Sequence, residues 1–405
     1  MRGVVPTQKS APSVTVSSRG AQRLKSGHLW VYRSDVSKAD GIAPGLLVHV
    51  QDERGRKMGS ALYSSSSQIA IRLLTSKIIG EPELLALVRQ RIDEAVAFRK
   101  KNVRDSDSYR VLFSEADLLP GLIVDKYNDV LVMQVQTQAF DREDLRTLVT
   151  GALAEHFPGF SLLDRVDPHI RQLEQLPARE SQLVLGEKAA TSFALNRVQF
   201  HFDGRGGQKT GAFLDQRENY AAAARYARGE ALDCFTYQGG FALHLARVCS
   251  SVAAVDASRP ALEVAGQNEQ LNRDAHSCGE IEWIEANAFD LLKDYSVAGR
   301  QYDTIVLDPP AFAKTKRVVD TAIRGYKELN LRALKMLRPG GVLVTCSCSF
   351  HVDQAQFQAV LEAAAADAGR RVRILEKRGA AIDHPVLAGV PETSYLKCIV
   401  SQIIE

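Results

Sequence analysis

The chain has 405 residues, 45% of them hydrophobic and 24% charged, with a formal net charge of +3. That balance excludes a collagen-like, wholly disordered or disulfide-scaffold chain, and at about 150 residues per domain it predicts two or three domains. No apolar run approaches the roughly 18 residues of a membrane span, and Met1–Ser10 lacks the apolar stretch of a signal peptide, so the chain reads as soluble and cytosolic, with no membrane partner.

Residues 1–12 read as a flexible tail. Short alternating runs then follow, Leu46–Asp52 and Gln68–Leu74 among them, broken by Gly- and Ser-containing turns; they predict a small β-barrel over 13–80. Residues 1–95 carry fourteen Lys and Arg against eight Asp and Glu, while the remainder carries three more acidic than basic groups. A basic module on a near-neutral body fits a polyanion as partner, and equally a solvated basic face. Leu84, Leu85, Leu87, Val88, Ile92 and Val96 recur at helical spacing, predicting a linking helix within 81–108.

A central α+β unit is expected over 109–200. Gly121–Tyr127 and Val130–Gln136 flank Asn128-Asp129, a two-residue hairpin turn, and Asp141–His156 reads as an amphipathic helix. From 201 to 405 the pattern becomes strand, helix, strand. Strands are predicted at Ala231–Phe235, Val252–Asp256, Ile281–Glu285, Tyr302–Asp308, Gly341–Cys348, Val372–Glu376 and Tyr395–Ile404, with helices such as Arg259–Leu271 and Thr321–Leu337 between them. The alternation argues for a parallel, doubly wound α/β sheet.

Such sheets bind ligands at the carboxyl ends of their strands. The first strand runs into Asp233-Cys-Phe-Thr-Tyr-Gln-Gly-Gly-Phe241, where Gly239 and Gly240 would let the backbone approach a ligand. A three-glycine dinucleotide fingerprint is absent, since Phe235 and Tyr237 stand in its place. The second ends in Asp256, placed to hold ribose hydroxyls; Ser258 is the better cap for the following helix and leaves Asp256 free. The third ends at Asn287, able to meet an adenine edge. The fourth ends in Asp308-Pro309-Pro310, a stiff turn that sets a carboxylate and a carbonyl at the sheet edge. The fifth ends in Thr345-Cys346-Ser347-Cys348-Ser349. Cys346 is expected in the core, whereas Cys348 sits where the apolar run gives way, as an activatable thiol does. All six cysteines lie in the second half and form only one tight pair, so neither a disulfide framework nor a zinc site is expected.

With these strand ends in view, the chain resembles the class I S-adenosylmethionine-dependent methyltransferases, and more narrowly the bacterial 23S ribosomal RNA cytosine-5 methyltransferases. The resemblance spans nearly the whole chain. It is carried by Lys25–Tyr32, Gly121–Tyr127, Lys209–Arg217, Asp233–Phe241, Asp308–Phe312, Arg324–Asn330, Thr345–Ser349 and Asp383–Pro385. It implies a PUA-like RNA-binding barrel, a central α+β domain and a Rossmann-like methyltransferase domain. The implied cofactor is S-adenosyl-L-methionine, held by Gln216, Asp233, Phe235, Gly239, Asp256, Ser258, Asn287 and Asp308. The implied nucleophile is Cys348, with Asp308 as the acid on cytosine N3. Many RNA cytosine-5 enzymes carry a second cysteine where this chain has Pro310, so adduct release must differ here.

The partners implied are RNA, specifically 23S ribosomal RNA, and a second copy of the chain as homodimer. On the barrel, Arg19, Arg23, Lys25, Arg54, Arg56 and Arg72 are expected to hold phosphates, with Trp30 and Tyr32 either stacking bases or filling the core. Lys314, Lys316 and Arg317 are expected to hold phosphates beside the target base. Competing readings are methylation of a base nitrogen through Asp308-Pro309-Pro310 and Phe312, a non-enzymatic RNA-binding factor, and a small-molecule methyltransferase.

Overall fold

The computed structural model describes residues 11–205, 212–273, 279–313 and 315–404. Lys314 and most of the predicted tail lie outside the described residues. The chain forms two compact units, one of residues 1–102, 109–189 and 385–393, the other of 103–108, 190–384 and 394–405.

In the first unit, six strands form one sheet, in the order Trp30–Tyr32, Ile69–Thr75, Lys57–Tyr63, Leu47–Asp52, Ser13–Val16, Val36–Lys38. Alternation fixes its register: Val14, Val16, Val48 and Val50 point inward with Ala61 and Ile71, and Leu24 from the short helix Ser18–Lys25 joins them. The helix Glu81–Asn102 follows, then a five-stranded sheet containing the hairpin Leu122–Tyr127 and Val130–Val135. Its turn has Asn128 at φ 46°, a conformation that asparagine tolerates.

The hairpin Ala190–Leu195 and Val198–Asp203 belongs to the second unit by its contacts. The reason is visible in α3 below, where Asn268 accepts from the His201 amide and Asn272 from that of Gln199.

The second unit is built on seven strands: β1 (Glu230–Cys234), β2 (Ser251–Asp256), β3 (Glu280–Glu285), β4 (Tyr302–Leu307), β5 (Leu337–Ser347), β6 (Val372–Arg378) and β7 (Lys397–Ile403). Its helices are α1 (Arg217–Tyr226), α2 (Gly240–Leu245), α3 (Arg259–Asn272), α4 (Ala288–Val297), α5 (Val319–Met336) and α6 (Gln354–Ala368). The strand order is β3-β2-β1-β4-β5-β7-β6. β1 to β5 are parallel, but β7 runs antiparallel to both β5 and β6. The expectation of a parallel sheet is corrected here. β7 slots in between β5 and β6, so β6 never pairs with β5, and apolar periodicity carries no sign of strand direction. The strand order reverses beside β1, and beyond the carboxyl ends of β1 and β4, which stay paired to Cys234 and Leu307, such a switch point leaves a crevice.

Candidate functional site

At that crevice lies a cavity of about 1180 Å³, lined by Gln216, Phe235, Tyr237, Asp256, Ser258, Asn287, Asp308, Phe312, Cys348 and Tyr395, among others. It exceeds the roughly 300–1,000 Å³ of an ordinary small-molecule pocket, which leaves room for two ligands side by side.

The wall under β1 is a strained loop. Phe235 and Tyr237 both adopt left-handed backbone, at φ 68° and 52°, unusual for aromatic residues. The loop is pinned from below. The Thr236 amide donates to Val255 O at 2.9 Å and its hydroxyl to Asp233 Oδ2 at 2.6 Å. The Tyr237 amide donates to Asp256 Oδ2 at 2.9 Å. Asp233 is fully buried beneath this loop and does not line the cavity. Burial lifts its carboxyl to about 7, against the hydrogen bonds from Thr236 and Ala242.

Gly239 and Gly240 also stay off the cavity wall. Gly239 sits at φ 85°, and a Cβ there would meet Trp283 at 2.8 Å; a Cβ on Gly240 would meet the Tyr220 hydroxyl at 2.5 Å. Asp233 and Gly239, expected at the cofactor, thus shape the loop from behind, where helix packs closely on strand.

Asp256 does face the cavity, and Ser258 rather than Asp256 caps α3, accepting from the Ala261 amide. The Asp256 oxygens accept from Tyr237 and Ser258 amides, and each keeps a lone pair for a ribose hydroxyl. Asn287 caps α4 through Oδ1, which leaves its amide hydrogens for an acceptor such as an adenine ring nitrogen. With Phe235 and Phe289 beside them, this donor and acceptor set fits an adenosyl group.

The opposite wall carries the expected nucleophile and acid, Cys348 and Asp308. Asp308 follows β4 and Cys348 follows β5, neighbouring parallel strands, so both side chains open into one cavity. Gln216 Nε2 donates to Asp308 Oδ1 at 2.9 Å. Gln216 is itself held by Asn219, and Asn219 by Arg378 Nε at 2.9 Å. Cys348 Sγ lies 4.0 Å from the Pro309 carbonyl oxygen, at the outer limit for a thiol hydrogen bond. The Ser349 hydroxyl ties the two strand ends together, accepting from the Ala313 amide at 3.0 Å and meeting Tyr326 Oη at 2.8 Å. Burial pushes the Cys348 thiol up to about 11, reinforced by the charges of Asp308 and Asp215 and opposed by Lys397. Cys346 is fully buried opposite Cys398 in the β5–β7 ladder.

Asp215 and Arg217, on either side of Gln216, are also engaged. Tyr395 Oη donates to Asp215 at 2.6 Å, and Arg217 forms a buried ion pair with Asp383 at 2.6 Å. Sequence reading missed Tyr395 and Lys397. The signal was there for Lys397: a lone charge at the start of the apolar run Leu396–Val400, which in the structure is 4% exposed.

Of the expected phosphate-binding residues, Lys25, Arg54 and Arg56 are exposed; Arg56 keeps 62% of its side chain in solvent while pairing with Asp52. Arg19 is exposed and paired with Asp35, and Arg23 lies 4.5 Å over the Tyr32 ring. Arg72 is a correction. It is buried between Glu174 and Glu115, which cover the face of its strand opposite to inward-pointing Ile71, and it cannot reach a phosphate. Trp30 is half-buried, its indole N–H donating to Glu115 at 2.9 Å. Lys316 and Arg317 are exposed in the loop before α5.

Residues 14–76 match the family model of the PUA-like domain, and residues 170–391, more than half of the chain, match that of the S-adenosylmethionine-dependent methyltransferases. The ribosomal RNA large subunit methyltransferase I of Pseudoalteromonas translucida (strain TAC 125) is 35% identical over 389 residues, 94% of this chain and 96% of its own length. That of Yersinia pseudotuberculosis serotype O:1b (strain IP 31758) is 35% identical over 399 residues, 96% and 99% of the two chains. Among solved structures, SMU.776, a methyltransferase complexed with SAH, superposes with a TM-score of 0.81 at 18% identity over 96% of this chain and 100% of its own, which shows a shared fold.

Proposed function

The chain belongs to the ribosomal RNA large subunit methyltransferase I family, S-adenosylmethionine-dependent enzymes with a PUA-like domain, and from that membership we propose that it methylates carbon 5 of a cytosine in 23S ribosomal RNA through a covalent adduct of Cys348. The observation that supports this chemistry most is the placing of Cys348 and Asp308 on one cavity wall, beside a surface fit for an adenosyl group.

Carbon 5 of cytosine is too weak a nucleophile to take a methyl group unaided. Bound S-adenosylmethionine supplies an electrophilic methyl group on its sulfonium. Cys348, once ionised, adds to carbon 6, and the ring electrons move toward carbon 5 as N3 gains or shares a proton held by Asp308. Such preorganised stabilisation of developing charge is worth several kcal/mol in comparable sites, roughly 2.7–4 for one donor. After methylation, a base takes the carbon 5 proton, the sulfur–carbon bond breaks to return the thiolate, and the N3 proton goes back to the Asp308 carboxylate, which restores the ring double bond.

The resting thiol, at about 11, is protonated at neutral pH. Asp308 heads the charges that hold it there, so a cytosine that shares a proton with Asp308 removes part of that obstacle. Ionisation is thereby linked to having the substrate in place.

Phosphates of the RNA are assigned to Lys25, Arg54 and Arg56 of the PUA-like domain and to Lys316 and Arg317 beside the cavity. A second reading, methylation of a base nitrogen, draws on Phe312, which lines the cavity and packs tilted against Tyr326 with ring centroids 4.6 Å apart. It needs no cysteine. Mass mapping of RNA methylated by the wild-type and Cys348→Ser proteins decides between the two: 5-methylcytosine made only by the wild type is expected, and full activity of the variant rejects the adduct.

A further inference from the structure

Lys397 is a buried cation with an unusual set of neighbours. It opens β7 directly opposite Ser347, one residue before Cys348. Its Nζ donates to the carbonyl oxygens of Ser349 at 2.6 Å and Tyr395 at 2.8 Å. It forms no ion pair with an Asp or Glu among the described residues. The charged groups that act on it are the Cys348 sulfur, when ionised, and Asp353, whose carboxylate is engaged in capping α6. Those facing Cys348 are Asp308 and Asp215, which oppose its ionisation, and Lys397, which favours it.

Taking an ammonium out of water is costly unless a counter-charge or full hydrogen bonding compensates. Two carbonyl dipoles compensate in part. Burial pulls the ammonium down to about 8, so at neutral pH it stays charged. A cation with no ion pair among the described residues, holding the carbonyl of the residue that follows Cys348, would find its counter-charge in the thiolate that the reaction generates.

We infer that Lys397 is a positioning residue: it is the built-in counter-ion of the Cys348 thiolate, and through its grip on the Ser349 carbonyl it also aims that thiolate into the cavity. This rests on Cys348 acting as the nucleophile. No proton is transferred by Lys397; the thiol proton passes to solvent, and the ammonium stabilises the sulfur anion left behind.

The test is alkylation of Cys348 by iodoacetamide in the full-length protein from pH 7 to 10.5, located by mass spectrometry, in the wild type and in Lys397→Gln, Lys397→Met and Lys397→Arg. Thermal unfolding and S-adenosylmethionine binding by calorimetry serve as controls of the fold. Loss of the cation is expected to lower the alkylation rate of Cys348 at pH 7, where the ammonium is charged, about tenfold for each unit by which the thiol becomes harder to ionise, with Lys397→Arg close to wild type. Methylation should lose kcat in step, with KM for RNA unchanged. Lys397→Gln and Lys397→Met remove the charge in different shapes, so either one, if folded, decides. An alkylation profile superimposable on wild type in a folded neutral variant overturns the inference. An active Cys348→Ser protein would instead overturn the nucleophile reading, and the alkylation profile would still report on Lys397.

Discussion

Gln216 and Asp308 stand 92 positions apart in the chain and meet at the cavity, amide nitrogen to carboxylate oxygen, at 2.9 Å. Behind that contact runs a relay from Arg378 through Asn219 to Gln216, so the orientation of one carboxyl group depends on side chains from α1 and β6. Because Asn219 also donates to Gly379 O, the Gln216 amide has one orientation that satisfies every partner.

Replacing Gln216 with Leu keeps the volume and removes the donor. Methylation kcat is expected to fall about 10–100-fold, since displacing a catalytic group by about 1 Å has costs of that order. S-adenosylmethionine affinity, read by calorimetry, should change by less than about fivefold. Unchanged kcat would show that the relay does not orient Asp308.

Cys348→Ala should bind S-adenosylmethionine as the wild type does, because the adenosyl surface lies on the β1–β3 side of the cavity. Its methylation rate should fall by at least about a thousandfold if covalent addition carries the reaction. Measuring both on one preparation separates a chemical defect from a folding one.

The barrel cations divide into two kinds. Lys25→Ala and Arg54→Ala should weaken RNA binding at every sequence and reduce the salt slope of the affinity by about one per lost phosphate contact, with thermal stability unchanged. Arg72→Ala should do the reverse. It leaves Glu174 and Glu115 buried without their cation, a change that costs about 3–5 kcal/mol in comparable sites. Chemical denaturation and filter binding of the same variants check the division.

Asp233 ties stability to pH. Its folded carboxyl is raised to about 7 from 3.8, so the stability it contributes is present below 3.8 and is lost as pH rises to about 7. Asp233→Asn keeps an acceptor for Thr236 and does not ionise. Relative to wild type, the variant should gain stability between pH 4 and 7.5, followed by thermal unfolding across that range. A difference independent of pH would contradict the buried, titrating carboxyl.

Gly240→Ala forces a Cβ to within 2.5 Å of the Tyr220 hydroxyl. Overpacking of this kind costs about 1–3 kcal/mol. The lost stability should be accompanied by a shift in Tyr220 fluorescence or its nuclear magnetic resonance line.

Most of the second unit's skeleton was legible from residues alone. Apolar runs bounded by helical patterns located all seven strands to within a few residues, and the two-residue spacing at Asn128-Asp129 gave a hairpin that the ladder reproduces. What stayed hidden has one physical cause in each case. The direction of β7 depends on where a connection crosses, which local periodicity does not encode. Arg72 carries the charge of a phosphate binder but lies on a strand face that Glu115 and Glu174 cover, which only the fold reveals. Asp233 and Gly239 follow the pattern of a ligand loop, yet support it from beneath. That Asp308 and Cys348 line one cavity could be read from strand ends because neighbouring parallel strands finish side by side. Gln216, Asn219 and Arg378 could not be linked, since only the fold brings them together.

The antiparallel insertion of β7 has a consequence for the newborn protein. As the ribosome releases the chain, Asp308 and Cys348 emerge and can fold on the parallel strands well before Lys397 exists outside the tunnel. The Lys397 ammonium reaches the Ser349 carbonyl, and the Tyr395 hydroxyl reaches Asp215, only once β7 lies beside β5. Insertion of this antiparallel strand is therefore the folding step that completes the Cys348 end of the cavity.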